Sequence, residues 1–281
     1  MRIIESIADM KAAINEYKKS GCTIGFVPTM GYLHEGHMSL VKVSRNENDI
    51  TIMSIFVNPA QFGPNEDFER YPRDMERDSQ MAREAGVDII FAPSVQEMYP
   101  EGYKTYVNVE DITQVLCGGS RPGHFRGVAT VVCKLFNIVE PTRAYFGQKD
   151  AQQAIVLRKM AKDLNMNLEI VTCPIIRETD GLAMSSRNVY LSPAERKAAL
   201  VLSRSLKEAK EMVERGERSA GKVEAFITER ISEEELAVID YVKVVDMENL
   251  AEIHTIRHRA LIALAVWFGK TRLIDNIIVE V

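Results

Sequence analysis

Two histidines, His34 and His37, stand three residues apart around Glu35 and Gly36. At that spacing both imidazoles lie on one side of a helix start, where ring and backbone N–H groups can meet phosphate oxygens. Further along, Lys149 offers a compact cation suited to phosphate, and Asp150 an acceptor for a helix start or a ribose hydroxyl. Ser185, Ser186 and Arg187 add two hydroxyls and one permanent cation. Arg121, in the glycine-rich basic stretch 116–127, can grip a carboxylate or polyphosphate with two parallel donors. Asn58 and Gln61 are neutral amides placed to orient a small substrate. No group reads as an enzyme nucleophile, because there is no G-x-S-x-G elbow and no cysteine has a histidine near it in sequence. Zinc is disfavoured, since the spacing is not His-Glu-x-x-His and no third ligand is close. The same residues also fit a plainer reading of solvated histidines at a helix start, an exposed lysine beside a cap, and surface loops.

The elements that must carry these groups alternate between strand and helix. The apolar run Thr23 to Val27 ends at Pro28, and after Gly31 and Gly36 the spacing of Met38, Leu40, Val41 and Val43 predicts a helix over 38–47. Asn58 to Asn65 is a turn-rich segment directly after the strand expected over 49–57, a place where ligands sit in open α/β sheets. A charged helix is expected over 73–85, and strands over 88–91, 103–109, 143–146 and 168–174. Helices are expected over 128–138 and 151–164, the latter with Gln152 and Gln153 in its first turn. Residues 177–188 lack periodicity and predict a mobile loop able to close on a ligand. Ser192-Pro193-Ala194-Glu195 is a capped helix start, and the composition shifts there, so a domain boundary is expected near 190. Beyond it lie charged helices and three strands, the last two forming a hairpin at Gly269-Lys270.

At 281 residues, 46% hydrophobic and 27% charged, the composition is that of a soluble globular chain with a proper core. The net charge of −5 argues against a nucleic-acid or anionic-membrane surface, so anionic substrates must be drawn by local positive groups. Four scattered cysteines form no C-x-x-C pair and predict reduced thiols. Neither a signal peptide nor an eighteen-residue apolar run is present, so a cytoplasmic protein is expected.

The His-x-Gly-His stretch resembles the signature of the nucleotidyltransferase superfamily that includes the class I aminoacyl-tRNA synthetases. With Phe56-Val57-Asn58-Pro59-x-Gln61-Phe62, Arg121-Pro122-Gly123-His124-Phe125-Arg126-Gly127-Val128, Gly147-x-Lys149-Asp150 and Met184-Ser185-Ser186-Arg187-Asn188, in that order, the chain resembles the pantoate–β-alanine ligases. The fold implied is α/β, with a Rossmann-like parallel-sheet nucleotide-binding domain over 1–189 and a smaller α+β domain over 190–281. The resemblance implies ATP along Met30, Gly31, Tyr32, Leu33, His34, Glu35, Gly36 and His37, along Gly147, Gln148, Lys149 and Asp150, at the backbone of Ile176, and along Met184, Ser185, Ser186 and Arg187. Pantoate would be held by Gln61 and Gln153, with β-alanine entering near Gln61. Gln148, where many members have Glu, and Ala151, where an aromatic is common, depart from the pattern without touching Lys149 or Asp150.

The resemblance further implies Mg²⁺ with the ATP, held by no protein ligand that can be named, and a homodimer. A carboxylate attacking the α-phosphorus of ATP needs positioning and charge neutralisation, which His34, His37, Lys149 and Arg187 can supply with Ser185 and Ser186. Two other classes carry such groups: a nucleotidyltransferase that hands over a nucleotide and stops, and a catalytically silent nucleotide-binding module. The neutral Gln61 and Gln153 speak against the first, and the intact His, Lys and Ser-Ser-Arg motifs against the second.

Overall fold

The computed structural model describes residues 1–64 and 66–281; Asn65, which closes the turn-rich segment expected after the second strand of the histidine unit, lies outside the described residues. Six strands form one sheet: β1 (Arg2–Ile4), β2 (Ile24–Thr29), β3 (Ile50–Ile55), β4 (Ile89–Phe91), β5 (Arg143–Gly147) and β6 (Glu169–Cys173). They lie in the order β1-β4-β3-β2-β5-β6, and every pairing is parallel. Phe26, Val27, Ile52, Met53, Ile89 and Ile90 are 0% exposed, as a parallel sheet covered on both faces requires. From β2 the chain steps outward to β3 and β4 and returns for β5 on the other side. The strand order therefore reverses at β2, which places the turn after β2 at the switch point where open α/β sheets bind ligands.

Pro28 does not stop β2, and the register shows why. The carbonyls of Thr23 and Thr29 accept from Ile50 and Phe56 on the β3 side, whereas that of Ile24 accepts from Thr142 on the β5 side. By alternation Pro28 faces β5, where the ladder covers only Gly25 and Phe26. Its missing N–H thus costs no strand bond.

The strand expected over 103–109 is absent. Its alternating pattern instead serves a strap along helix His124–Val139, where Thr130 Oγ1 accepts from Val107 N at 2.9 Å. Tyr99, Tyr103 and Tyr106 pack edge to face in series, Arg126 covers Tyr106 at 3.8 Å, and Lys134 covers Tyr103 at 4.6 Å. Tyrosines of the expected strand here meet cations of a helix, and no neighbouring strand.

The second sheet is antiparallel, with β7 (Ala237–Asp246), β8 (Arg259–Phe268) and β9 (Thr271–Glu280) in that order. Helices Leu200–Glu214 and Ala220–Ser232 bury Leu202, Leu206, Val223 and Ile227 in one core with Val244, Ile262 and Leu264. Packing moves the division of the chain away from residue 190. One compact unit comprises Met1–Glu110, Arg121–Gly147 and Val156–Pro174; the other comprises Asp111–Ser120, Gln148–Ile155 and Ile175–Val281. Apolar contacts explain the shift, because Ala151 and Ile155, with Ile112 and Leu116, pack against Val245, Leu250, Leu261 and Ala263 of the C-terminal part.

Candidate active site

The first unit carries the histidines. Helix Glu35–Glu47 starts three residues earlier than its apolar spacing predicts, because His34 is itself the N-cap. His34 Nδ1 accepts from Gly36 N at 3.1 Å, and His37 Nδ1 accepts from His34 N at 3.3 Å. The rings stack 4.1 Å apart at 36°. Since each Nδ1 acts as an acceptor, the proton of each neutral imidazole sits on Nε2. The cap therefore fixes both rings as Nε2–H donors at a helix N-terminus, an arrangement suited to phosphate oxygens.

The turn leading to this cap is backed by a residue that in sequence is merely one acid of a charged helix. Asp78, in helix Met75–Glu84 and 1% exposed, accepts from Tyr32 N and Leu33 N, each at 2.7 Å. Burial pushes its carboxyl pKa up, against those two N–H bonds and the Arg77 guanidinium, which pull it down. Its signal in sequence is faint: an acid at a helical position facing the apolar side, beside Ala82.

Asn58 and Arg121, expected as substrate contacts, both have partners within the unit. Asn58 is 1% exposed, and its amide is committed within the unit. Nδ2 donates to Gln61 Oε1 at 3.0 Å and to Gly127 O at 3.2 Å, while Oδ1 accepts from Ala60 N and from Tyr99 OH at 2.8 Å. Burial raises the Tyr99 pKa, which keeps the phenol a donor. Asn58 thus holds Gln61, whose Nε2 points at Met30 Sδ at 3.2 Å. Arg121 spends its fork on Glu66, with Nε to Oε1 at 2.7 Å, and its Nη1 lies 3.0 Å from His124 Nε2. Glu66 is pushed up by burial, but the Arg121 bond and charge outweigh this and hold it below the ordinary glutamate value. His124 Nδ1 in turn lies 2.9 Å from Gln61 O. The basic stretch therefore braces the Gln61 turn from within.

That turn, Pro59–Gln61, sits so close to helix His124–Val139 that a Cβ on Gly127 would lie 2.1 Å from Ala60 O and 2.6 Å from Gln61 Cα. Gly127→Ala must push the turn away, at about 1–3 kcal/mol for such overpacking. The expected outcome is a lowered Tm, read by thermal unfolding.

The second unit carries the lysine and serine motifs. Gln148–Asp150 is a short 3₁₀ turn in which Lys149 Nζ lies 3.6 Å from Asp150 Oδ2. Asn276 of β9 donates to Gln148 O at 2.9 Å and to Lys149 O at 3.0 Å, fixing the turn's backbone. Gln153 is partly buried at the start of helix Ala151–Asp163. Its neighbour Gln152 is spent on segment 112–117, bonding Ile112 O, Val115 O and Cys117 N.

Residues 177–188, expected to be mobile, are pinned by polar contacts that periodicity cannot reveal. Arg177 makes a two-pronged pair with buried Asp275 of β9, at 2.6 and 3.0 Å. Arg196 reaches Glu178 at 2.7 Å and Asp180 at 2.8 Å, and Asn188 Nδ2 donates to Glu178 Oε1 at 2.8 Å. Met184 N bonds Ile176 O at 3.0 Å, and Ser185 Oγ caps the turn Ser186–Tyr190 by accepting from Arg187 N. Adjacent Asp275 and Asn276 thus hold the Arg177 loop and the Lys149 turn. Their signal in sequence is two polar residues inside the apolar run of β9, a sign that the expected hairpin does not use.

Known proteins resemble the chain over nearly its whole length. The family model for pantoate-beta-alanine ligase matches residues 2–278. The chain is 68% identical over 281 residues to the pantothenate synthetase of Acetivibrio thermocellus, and 61% identical over 281 residues to that of Heliobacterium modesticaldum, covering all of both chains in each case. The crystal structure of pantothenate synthetase from Thermus thermophilus superposes with a TM-score of 0.94 at 48% identity, covering 99% of each chain. That of the pantoate-beta-alanine ligase from Francisella tularensis, complexed with beta-gamma ATP and beta-alanine, gives 0.80 at 35%, covering 99% of this chain and 97% of that one. A match over nearly the whole length, at identities far above those that conserve fold alone, places the chain in the pantoate–β-alanine ligase family.

Proposed function

We propose that the chain condenses pantoate with β-alanine at the expense of ATP, through a pantoyl adenylate, releasing AMP and pyrophosphate. The observation that carries this reading is the pair of Nε2–H donors that the His34 cap fixes at a helix N-terminus. Attack of the pantoate carboxylate on the α-phosphorus forms a P–O bond as the bond to pyrophosphate breaks, and charge spreads onto phosphate oxygens. His34 and His37 donate to those oxygens, and Lys149 and Arg187 balance their charge. Ser185, Ser186, Met184, the Ile176 backbone, Met30–Glu35, Gly147, Gln148 and Asp150 contact the nucleotide. Gln61 and Gln153 hold pantoate, Asn58 and Arg121 acting through the Gln61 turn. The amine of β-alanine then attacks the acyl carbon, AMP leaves with the electrons of the acyl–oxygen bond, and the nitrogen releases one proton to solvent.

Mg²⁺ enters with the ATP phosphates; among the described residues no group of three or more His, Cys, Asp or Glu side chains converges as a metal cage. No helix among the described residues is long and apolar enough to cross a membrane. A cytoplasmic homodimer completes the reading.

Product analysis tests it: with ATP, pantoate and β-alanine, AMP, pyrophosphate and the amide should accumulate in equal amounts. ADP and phosphate, or a dinucleotide without amide, would refute it. Gln61→Ala and Gln153→Ala should each raise the pantoate KM by roughly fivefold to a hundredfold while the ATP KM changes less, the effect of leaving a polar partner unpaired. Steady-state kinetics with each substrate varied in turn reads the difference.

A further inference from the structure

We propose that Arg77 and Asp78 are positioning residues for the His34–His37 pair, together clamping the turn that carries it; their catalytic consequence rests on the ligase reading above. Gly31 and Tyr32 are consecutive residues in the left-handed region, at φ +86° and +49°. For Tyr32 that conformation costs about 1–2 kcal/mol and persists only where the surroundings impose it. Asp78 imposes it by accepting Tyr32 N and Leu33 N with separate oxygens. Arg77 adds to it: Nη2 donates to Leu33 O at 2.7 Å, Nη1 lies 3.4 Å from Asp78 Oδ1, and the guanidinium covers the Tyr32 ring at 4.9 Å.

Both N–H groups and one carbonyl of residues 32–33 are therefore committed to one helical dipeptide, and the next residue is the His34 cap. Space is also matched, since a Cβ on Gly31 would lie 3.0 Å from Asp78 Oδ2. A carboxylate is needed because it accepts at both oxygens. An amide at the same place would accept one N–H and oppose the other.

Asp78→Asn tests the clamp in two ways. In a ¹⁵N-edited imidazole spectrum of the unliganded protein, the ring signals of His34 and His37 should move while those of His254 and His258 stay. This readout needs no substrate, so it judges the clamp even if the ligase reading fails. In pantoate-dependent pyrophosphate exchange, Asp78→Asn should slow the wild type by about tenfold to a hundredfold, as expected for a buried N–H left unpaired. In a His37→Ala background its effect should shrink by more than about threefold, the coupling expected of residues acting through one unit. A merely structural role would give equal losses in both backgrounds. Unmoved His34 and His37 signals, or a coupling below threefold in an enzyme that does exchange, would overturn the proposal. Should Asp78→Asn fail to fold, Arg77→Gln serves for both readouts, because the Arg77 side chain is 41% exposed and its loss leaves no buried hole.

Discussion

Replacing His37 with Ala is expected to slow adenylate formation by about a hundredfold to a thousandfold, the ~3–4 kcal/mol typical of removing one donor to a developing charge. The fold should survive, since His37 lies in the first turn of its helix and is only partly buried. Its Nδ1 does accept from His34 N, so the loss of that cap should cost about 1 kcal/mol of stability. His37→Asn separates the two roles, because a short acceptor can keep the cap while the Nε2–H donor is gone. Rapid-quench measurement of pyrophosphate release in saturating ATP and pantoate, with thermal unfolding alongside, checks both. Near-normal release from His37→Ala would remove the histidine from the chemistry.

Asp275→Ala is expected to have the largest effect on stability. Asp275 is 2% exposed and pairs two-pronged with Arg177, while its Oδ1 also accepts from Asn276 N at 2.8 Å. Removing one partner of such a pair leaves the other uncompensated, at about 3 kcal/mol. At roughly 2–4 °C per kcal/mol for chains of this order, Tm should fall by about 6–12 °C. Because Asn276 holds the Lys149 turn and Asp275 the Arg177 loop, ATP affinity should fall as well, to be read by titration calorimetry below the transition. An unchanged Tm would mean that Arg177 is satisfied equally well by water.

Much of the positioning was legible because local rules carried it. The strand, turn and helix around His34 follow from apolar spacing and the glycines, and the Ser192 cap with Pro193 at the first helical position stands as read. Residues 103–109 misled because alternation reports two different faces without saying what covers them; here the cover is helix His124–Val139. Asn58 and Arg121 looked available in sequence, yet their donors meet Gly127 O and Glu66, partners 69 and 55 residues away. Asp78, Asp275 and Asn276 stayed hidden for the same reason. A buried polar group is recognised by its long-range partners, which no window of sequence displays.

The most direct measurement is isotope exchange with one substrate withheld. The sequence has no G-x-S-x-G elbow and no cysteine with a histidine near it, so ATP and pantoate alone should be enough to form the adenylate and release pyrophosphate. Labelled pyrophosphate should therefore pass into ATP when pantoate and Mg²⁺ are present and β-alanine is absent, and the exchange should vanish without pantoate. Exchange that needs no carboxylic acid, or ADP and phosphate in place of AMP and pyrophosphate, would contradict the adenylate mechanism.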